Sequence, residues 1–146
     1  MEPCERTDIV IVGSGFGGIT TALKLARFAK RRNGIKIHIL SKDNFFFFTP
    51  FLVEVVTGMV ETRHIVVPVC QLFYRKQVDF TQCEVKIIDP GERAVYTSVV
   101  VFPYDFLVIA LGSVTNDYGL EGIAQNTCEA TPALKQDPQI AAVVFT

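Results

Sequence analysis

Asp8-Ile9-Val10-Ile11-Val12-Gly13-Ser14-Gly15-Phe16-Gly17-Gly18-Ile19 is the stretch that decides the fold. Its opening residues are continuous and mostly β-branched, the pattern of a strand buried on both faces, as in a parallel sheet. Glycines follow at once at positions 13, 15, 17 and 18, and from Ile19 the apolar residues Ala22, Leu23, Ala26 and Ala29 recur at helical spacing. Asn33-Gly34 supplies a left-handed C-terminal cap, which predicts a helix of about four turns. Ile35 to Leu40 alternates as a second strand, so the first forty or so residues form a β-α-β unit with a right-handed crossover.

Gly13, Gly15 and Gly18 satisfy G-x-G-x-x-G between a buried strand and an amphipathic helix, the context that gives this pattern its meaning. Gly13 permits the tight turn, Gly15 lets the backbone approach a diphosphate, and Gly18 lets helix and strand pack closely. The helix N–H groups then face the phosphates. Dinucleotide binding is the chemistry this arrangement serves. The second strand closes on Ser41-Lys42-Asp43, where an acidic residue would ordinarily hold the ribose hydroxyls. Ser41 offers one hydrogen bond and Asp43 can reach the ribose from the loop; equally, a neutral Ser41 beside Lys42 suits the 2′-phosphate of NADP. The strand end does not decide between them.

Working outward, 146 residues suit one domain, and 49% hydrophobic with 20% charged residues is the composition of a globular chain. Fourteen Lys plus Arg against 15 Asp plus Glu leave a net charge of -1, which gives no electrostatic reason to expect nucleic acid or an anionic membrane as partner. The cations Lys24, Arg27, Lys30, Arg31 and Arg32 crowd the C-terminal half of the first helix, where they offset its macrodipole. Four cysteines, Cys4, Cys70, Cys83 and Cys128, form no CxxC pair and only two histidines accompany them, so neither a metal site nor a disulfide scaffold is indicated. His38 lies inside the second strand and reads as structural. The N-terminus carries acid where a signal peptide carries base, and the apolar run from Phe45 to Val60 is interrupted by Thr49, Pro50, Glu54, Thr57 and Gly58. An intracellular chain without a transmembrane helix is expected.

Beyond the second strand, Phe45 to Phe48 reads as a loop and Pro68 to Arg75 as a short helix. Val78 to Asp89 reads as one long strand, Pro90-Gly91-Glu92 as a turn, and Arg93 to Val101 as the antiparallel return. Phe102-Pro103-Tyr104 turns the chain into Phe106 to Ala110, again wholly apolar. The fold class expected is α/β: a Rossmann-like parallel sheet with an inserted antiparallel β-hairpin, incomplete. A plain nicotinamide domain would continue with further β-α-β units. The hairpin favours FAD, by analogy with two-dinucleotide flavoproteins, whose first glycine motif holds that cofactor.

Two further segments carry a family resemblance. Asp43-Asn44-Phe45-Phe46-Phe47-Phe48-Thr49-Pro50-Phe51-Leu52-Val53-Glu54-Val55-Val56-Thr57-Gly58, followed by Glu61-Thr62-Arg63-His64-Ile65-Val66-Val67-Pro68, resembles the type II NADH dehydrogenases, the non-proton-pumping NADH:quinone oxidoreductases. Tyr104 to Ser113 is similar to the family's second FAD-contacting segment, and Asn126-Thr127-Cys128 to a stretch just beyond it. The likeness spans residues 7–128, read as a partial FAD-binding domain, with 129–146 as a divergent tail containing Thr131-Pro132, Pro138 and Ile140 to Phe145.

The resemblance implies that Gly13, Gly15, Phe16, Gly17 and Gly18 wrap the FAD pyrophosphate, that Ser41 and Lys42 lie by the adenosine ribose, and that Thr49 and Pro50 line the flavin end. It matches Val85 to the strand position beside the adenine, and Ala110, Leu111 and Gly112 to the segment closing over the cofactor. No catalytic residue is assigned. Phe45 to Phe48 are expected in a core or a partner interface rather than on the flavin. Cys128 reads as a non-catalytic thiol, although the related sulfide:quinone oxidoreductases place a redox cysteine near a comparable position.

In the family, NADH reduces the flavin and the flavin reduces a membrane quinone, with peripheral attachment to the cytoplasmic or inner mitochondrial membrane. A second glycine motif and a C-terminal membrane region are not found in this sequence. The expectation is therefore an N-terminal FAD-binding part, truncated or needing a partner chain, with self-association through exposed apolar surface. The alternatives are a sulfide:quinone oxidoreductase-like flavoprotein, an NADP-binding module, and a non-catalytic fragment.

Overall fold

The computed structural model describes residues 6–32 and 34–113. In chain order the elements are β1 (Thr7–Val12), α1 (Phe16–Ala29), β2 (Ile35–Ser41), β3 (Phe45–Phe47), α2 (Leu52–Val56), β4 (Val66–Pro68), α3 (Val69–Leu72), β5 (Asp79–Gln82), β6 (Val85–Asp89), β7 (Ala94–Thr97), β8 (Val101–Pro103) and β9 (Phe106–Ile109). They divide into two units: the chain up to Asn44 together with Val69–Gly112, and Phe45–Pro68.

In the first unit β1 pairs in parallel with β2, Thr7 opposite Ile35 through Val12 opposite Leu40, and on its other side with β9, Ile9 opposite Phe106 through Val12 opposite Ile109. β5 adds beyond β2, giving the order β5-β2-β1-β9. The chain thus goes to one side of β1 for β2 and β5 and to the other for β9, a topological switch at the C-terminal ends of β1 and β9. Strand alternation sends Val10, Val12 and Leu40 to one face, where they meet Cys83 and Val95 and the flanking Val85, Ile88, Phe102, Tyr104 and Leu107. The alternate set, Ile11, Ile37 and Ile39, is fully buried on the other face. There α1 packs, burying Gly18, Ile19, Ala22, Ala26 and Ala29. The parallel sheet and the small residues of α1 are as the sequence predicts.

Several boundaries differ from the sequence expectation: Phe102 and Pro103 belong to a strand, β8, rather than a turn, and the helix expected from Pro68 to Arg75 is the single turn Val69–Leu72. α1 stops at Ala29, its last buried residue, rather than at a glycine cap; Lys30 to Arg32 are exposed, and i→i−3 bonds from Arg31 to Phe28 (3.0 Å) and from Arg32 to Ala29 (3.2 Å) tighten the exit. Asn33 lies outside the described residues. Gly34 does take a positive φ of 95°, but at the entry to β2, where its carbonyl accepts the Thr7 N–H at 2.8 Å.

The long strand from Val78 to Asp89 is two strands. Cys83 N–H donates to Ser41 O at 2.9 Å as the last bond toward the parallel sheet, and the chain then enters an antiparallel sheet, β6-β7-β8. Cys83 at the join and Val85 two residues on both pack in one core, so the i, i+2 pattern runs across the join and does not reveal it. The return is split as well. Thr97 Oγ1 accepts the N–H groups of Val99 (3.2 Å) and Val100 (3.1 Å), folding Ser98 to Val100 into a turn, and the hairpin becomes three strands.

A further difference is in the second unit, where Phe45–Phe47 forms a strand rather than a loop. It pairs antiparallel with Val66–Pro68, Phe45 opposite Pro68, and Phe48 N–H donates to Ile65 O at 2.8 Å. Phe47, Ile65 and Val66 are the buried centre of a small core with Phe45, Phe48, Leu52, Val55 and Val60. The two quoted halves of the resemblance motif are therefore hydrogen-bonded partners.

His38 packs its ring on Phe102 (centroids 5.5 Å apart), and its buried Nδ1 has no hydrogen-bond partner. Burial, aided by Lys36, lowers its pKa from the usual 6.5. The unfolded chain then binds the extra proton more readily, so this residue's stabilisation is present above about pH 6.5 and is lost as pH falls toward its folded value. Thermal melting should therefore fall between pH 7 and 5, and His38→Gln should flatten that dependence; an unchanged slope in the variant contradicts it. Ile39→Ala should cost about 2–5 kcal/mol in urea denaturation, whereas Ile87→Ala, on an exposed face, should stay within about 0.5 kcal/mol.

Candidate dinucleotide site

The turn between β1 and α1 is shaped by main-chain crowding. Gly13 has φ +108°, and a Cβ built there would stand 2.3 Å from Ala110 O; at Gly18 it would stand 1.9 Å from Gly13 O. Real side chains tolerate neither contact, so both glycines are required by the chain's own backbone. Gly17 makes an ordinary contact, 3.7 Å from the Ala110 side chain. Gly15 differs from all of these. Its φ of −78° is open to any residue, and a Cβ there would meet nothing within 4 Å. Among the described residues no atom calls for a glycine at 15, which fits a position kept clear for a bound group.

Hydrogen bonds fix the walls of that space. Gly13 N–H donates to Leu40 O and Ala110 N–H to Val12 O, each at 2.8 Å, joining the ends of β1, β2 and β9. Ile19 N–H reaches Gly15 O at 3.0 Å, closing the first turn of α1. That first turn has no side-chain cap and no acidic residue, so its positive end is not neutralised locally. Diphosphate oxygens are suited to it.

Ser14 is a residue that the motif's spacing leaves unspecified. It is 7% exposed, and its Oγ donates to Ser41 Oγ at 2.8 Å, tying the glycine turn to the end of β2. Ser41 keeps its own hydroxyl proton for a further partner. Its one legible signal is a small polar residue between two glycines, too common to single out. Lys42 is exposed, and its carbonyl accepts Gln82 Nε2 at 3.0 Å. Lys42 also acts on Glu84, whose carboxyl is held below its usual range first by the hydrogen bond from Lys86, at 2.6 Å, and then by the charges of Lys86 and Lys42. Val85 follows Glu84 as the first residue of β6, half-buried beside Cys83 and Val95.

The structure thus brings Gly13, Gly15, Gly17, Gly18, Ser41 and Ala110 to the C-terminal end of the parallel sheet. Phe16 is 45% exposed on the first turn of α1; Leu111 is exposed, and Gly112 turns the chain at φ +76°. Thr49 and Pro50 belong to the second unit, in an exposed 3-10 turn, Thr49–Phe51. Cys128 and the tail from Thr131 onward lie outside the described residues. Of the thiols, Cys70 is exposed and Cys83 buried, both free, and burial pushes the Cys83 thiol up, away from thiolate chemistry. Among the described residues no three of His, Cys, Asp or Glu gather as a metal site, and no helix is long and apolar enough to cross a membrane.

A parallel sheet with a glycine turn at its switch point and an antiparallel sheet on one face defines a dinucleotide-binding module of the flavoprotein type. The chain belongs to the pyridine nucleotide-disulphide oxidoreductase family, whose model matches residues 7–144. A type II NADH:quinone oxidoreductase of Staphylococcus aureus is 29% identical over 119 residues, 82% of this chain and 29% of that protein. The sulfide:quinone oxidoreductase structure from Aquifex aeolicus superposes on 96% of this chain and 33% of its own, with a TM-score of 0.78 and 29% identity. NDH2 from Plasmodium falciparum, solved with NADH, superposes on 90% of this chain and 28% of its own, with a TM-score of 0.74; at 22% identity that likeness concerns the fold. The chain spans about a third or less of the length of these relatives.

Two substitutions separate what the backbone requires from what a ligand would. Gly13→Ala should lower stability by more than about 2 kcal/mol through strain and clash. Gly15→Asp, a favoured helix N-cap, should leave the ligand-free melting temperature unchanged or higher. Equal losses in thermal denaturation would contradict the distinction.

Proposed function

We propose that this chain is the FAD-binding part of a flavoprotein oxidoreductase that delivers electrons to a quinone. The observation that carries the reading is the clear space over Gly15, bounded by Ala110 and the uncapped start of α1. Gly13, Gly15, Phe16, Gly17 and Gly18 would hold the diphosphate, Ser41 and Lys42 the ribose, Val85 the adenine, Thr49 and Pro50 the flavin end, and Ala110, Leu111 and Gly112 the far side. When bound, FAD supplies two-electron chemistry between donor and acceptor. The chain's own part is binding and orientation: main-chain amides directed at phosphate, with the Ser14–Ser41 hydrogen bond holding the turn against β2.

FAD is preferred to NADP because the three-stranded antiparallel sheet follows β5 where a nicotinamide domain would continue with β-α-β units. Quinone is the acceptor named for both the Staphylococcus aureus and the Aquifex aeolicus relatives. NADH is the donor implied by the sequence resemblance. Sulfide is the second reading, favoured by the 96% coverage and 29% identity of the sulfide:quinone oxidoreductase structure.

Titration of the purified chain with FAD, FMN and NADP, followed by flavin fluorescence and melting temperature, tests this. FAD should bind most tightly and stabilise the fold by mass action. Gly15→Asp, which sets a carboxylate against the diphosphate, should weaken FAD binding at least about tenfold. NADP binding without FAD binding, or full FAD affinity in Gly15→Asp, overturns the proposal. Anaerobic bleaching of the bound flavin by sulfide or by NADH distinguishes the donors.

A further inference from the structure

Arg27 and Lys30 at the end of α1 and Lys76 just after α3 are exposed, and among the described residues none of them makes an ion pair. No Asp or Glu occurs from Ile9 to Lys42 or from Thr62 to Val78, so neither segment carries an acid of its own to pair with them. A net charge of -1 hides this separation. Offsetting the α1 macrodipole accounts for Arg27 and Lys30. It does not account for Lys76, which comes from another element and whose Nζ donates to Leu72 O, leaving two N–H donors for a further partner.

The three cations line a groove of about 440 Å³ within the first unit. Leu23, Ala26, Arg27 and Lys30 recur at i, i+3, i+4 and i+7, one stripe of α1, and Leu72 lines the groove from α3. Burial separates floor from rim: Ala26 is 2% exposed and Leu23 and Leu72 are half-buried, whereas the three cations are exposed. Along the stripe the order is apolar and then basic, with the basic end at the C-terminus of α1. The groove is therefore recessed, apolar below and cationic above, and it has a direction.

We propose that this groove seats an amphipathic helix of a partner protein, running antiparallel to α1 and carrying Asp or Glu in its first turn. Antiparallel packing brings the partner's N-terminus beside the C-terminal end of α1. Carboxylates of that first turn, favoured there by the partner helix's own dipole, then meet Arg27, Lys30 and Lys76. Leu23 to Lys30 spans about 10 Å along the axis, two turns, so apolar side chains of the partner at i+3 or i+4 spacing reach Leu23, Ala26 and Leu72. The small side chain of Ala26 leaves room for a larger one. A nucleic acid or a flat anionic surface would satisfy the rim and leave the recessed floor wet; the ridge of a helix covers both. The contact lies outside the glycine turn and rests on neither the flavin nor its donor.

Titration of the ¹⁵N-labelled full chain with a synthetic helical peptide of about 15 residues tests the proposal. The probe carries Asp and Glu in its first turn, leucine at every third or fourth position after it, and glutamine elsewhere. It should bind saturably, move the amide signals of Leu23 to Lys30 and Leu72 to Lys76, leave that of Gly15 in place, and weaken as ionic strength rises. A second peptide of the same composition with its acids moved to the last turn should bind at least about tenfold less tightly. The triple variant Arg27→Gln, Lys30→Gln, Lys76→Gln should lose at least about tenfold for the first peptide, with circular dichroism and FAD affinity as in the parent. Leu23→Gln, which keeps every charge, should also weaken binding. No shift in the two segments, equal affinity for the two peptides, or an unaffected triple variant overturns the proposal. So does tighter binding to an RNA oligonucleotide, or to phosphatidylcholine vesicles carrying about one third phosphatidylglycerol, than to the first peptide.

Discussion

Three stretches of main chain meet at one point with no room for a side chain between them. The turn at Gly13 presses on Ala110 O, and Gly18 presses on Gly13 O, at separations a Cβ would reduce to 2.3 and 1.9 Å. The geometry of the candidate site follows from that contact. It sets how closely α1 lies on β1, where β9 ends, and where the start of α1 points. The hydrogen bonds Gly13 to Leu40 and Ala110 to Val12 hold the same three strand ends in register. The site is therefore a by-product of packing in a parallel sheet, with Gly15, in the middle of the turn, a glycine that neither space nor backbone conformation requires.

The antiparallel sheet is built onto this frame through a single change of direction. Cys83 ends the run of β5 beside Ser41 and lies in the core with Val10, Val12, Leu40 and Val95. Its thiol is pushed up by burial, so its role is that of a small apolar group. β6, β7 and β8 then cover the sheet face opposite α1, giving the first unit three layers. Val85 stands where the new sheet starts, next to the cationic and acidic side chains Lys42, Glu84 and Lys86.

The sequence displayed what depends on local pattern and concealed what depends on partner choice. Asp8 to Val12, the glycine spacing and the helical recurrence of Ala22, Ala26 and Ala29 specify the β-α-β unit, because burial on one face or two has a fixed period. The break at Cys83 was not legible, since Cys83 at the join and Val85 after it pack in one core two residues apart, as in a continuous strand. Thr97-Ser98 sits in a β-branched run and reads as strand, although a threonine hydroxyl bonding two residues on makes it a turn. Phe45 to Phe47 reads as a loop because its partner, Val66 to Pro68, lies about twenty residues away and pairing at that distance has no local signature. At the site, the glycines were legible from spacing, and Ser14 was not, since its contribution depends on the distant Ser41.

The central claim is that the backbone around Gly15 receives the diphosphate of FAD. Amide chemical shifts of the ¹⁵N-labelled chain during FAD titration test it most directly. The account predicts that the signals of Gly15, Gly17, Gly18 and Leu111 move together and saturably, while those of α3 stay fixed. Shifts confined to other segments, or none at saturating FAD, would contradict it.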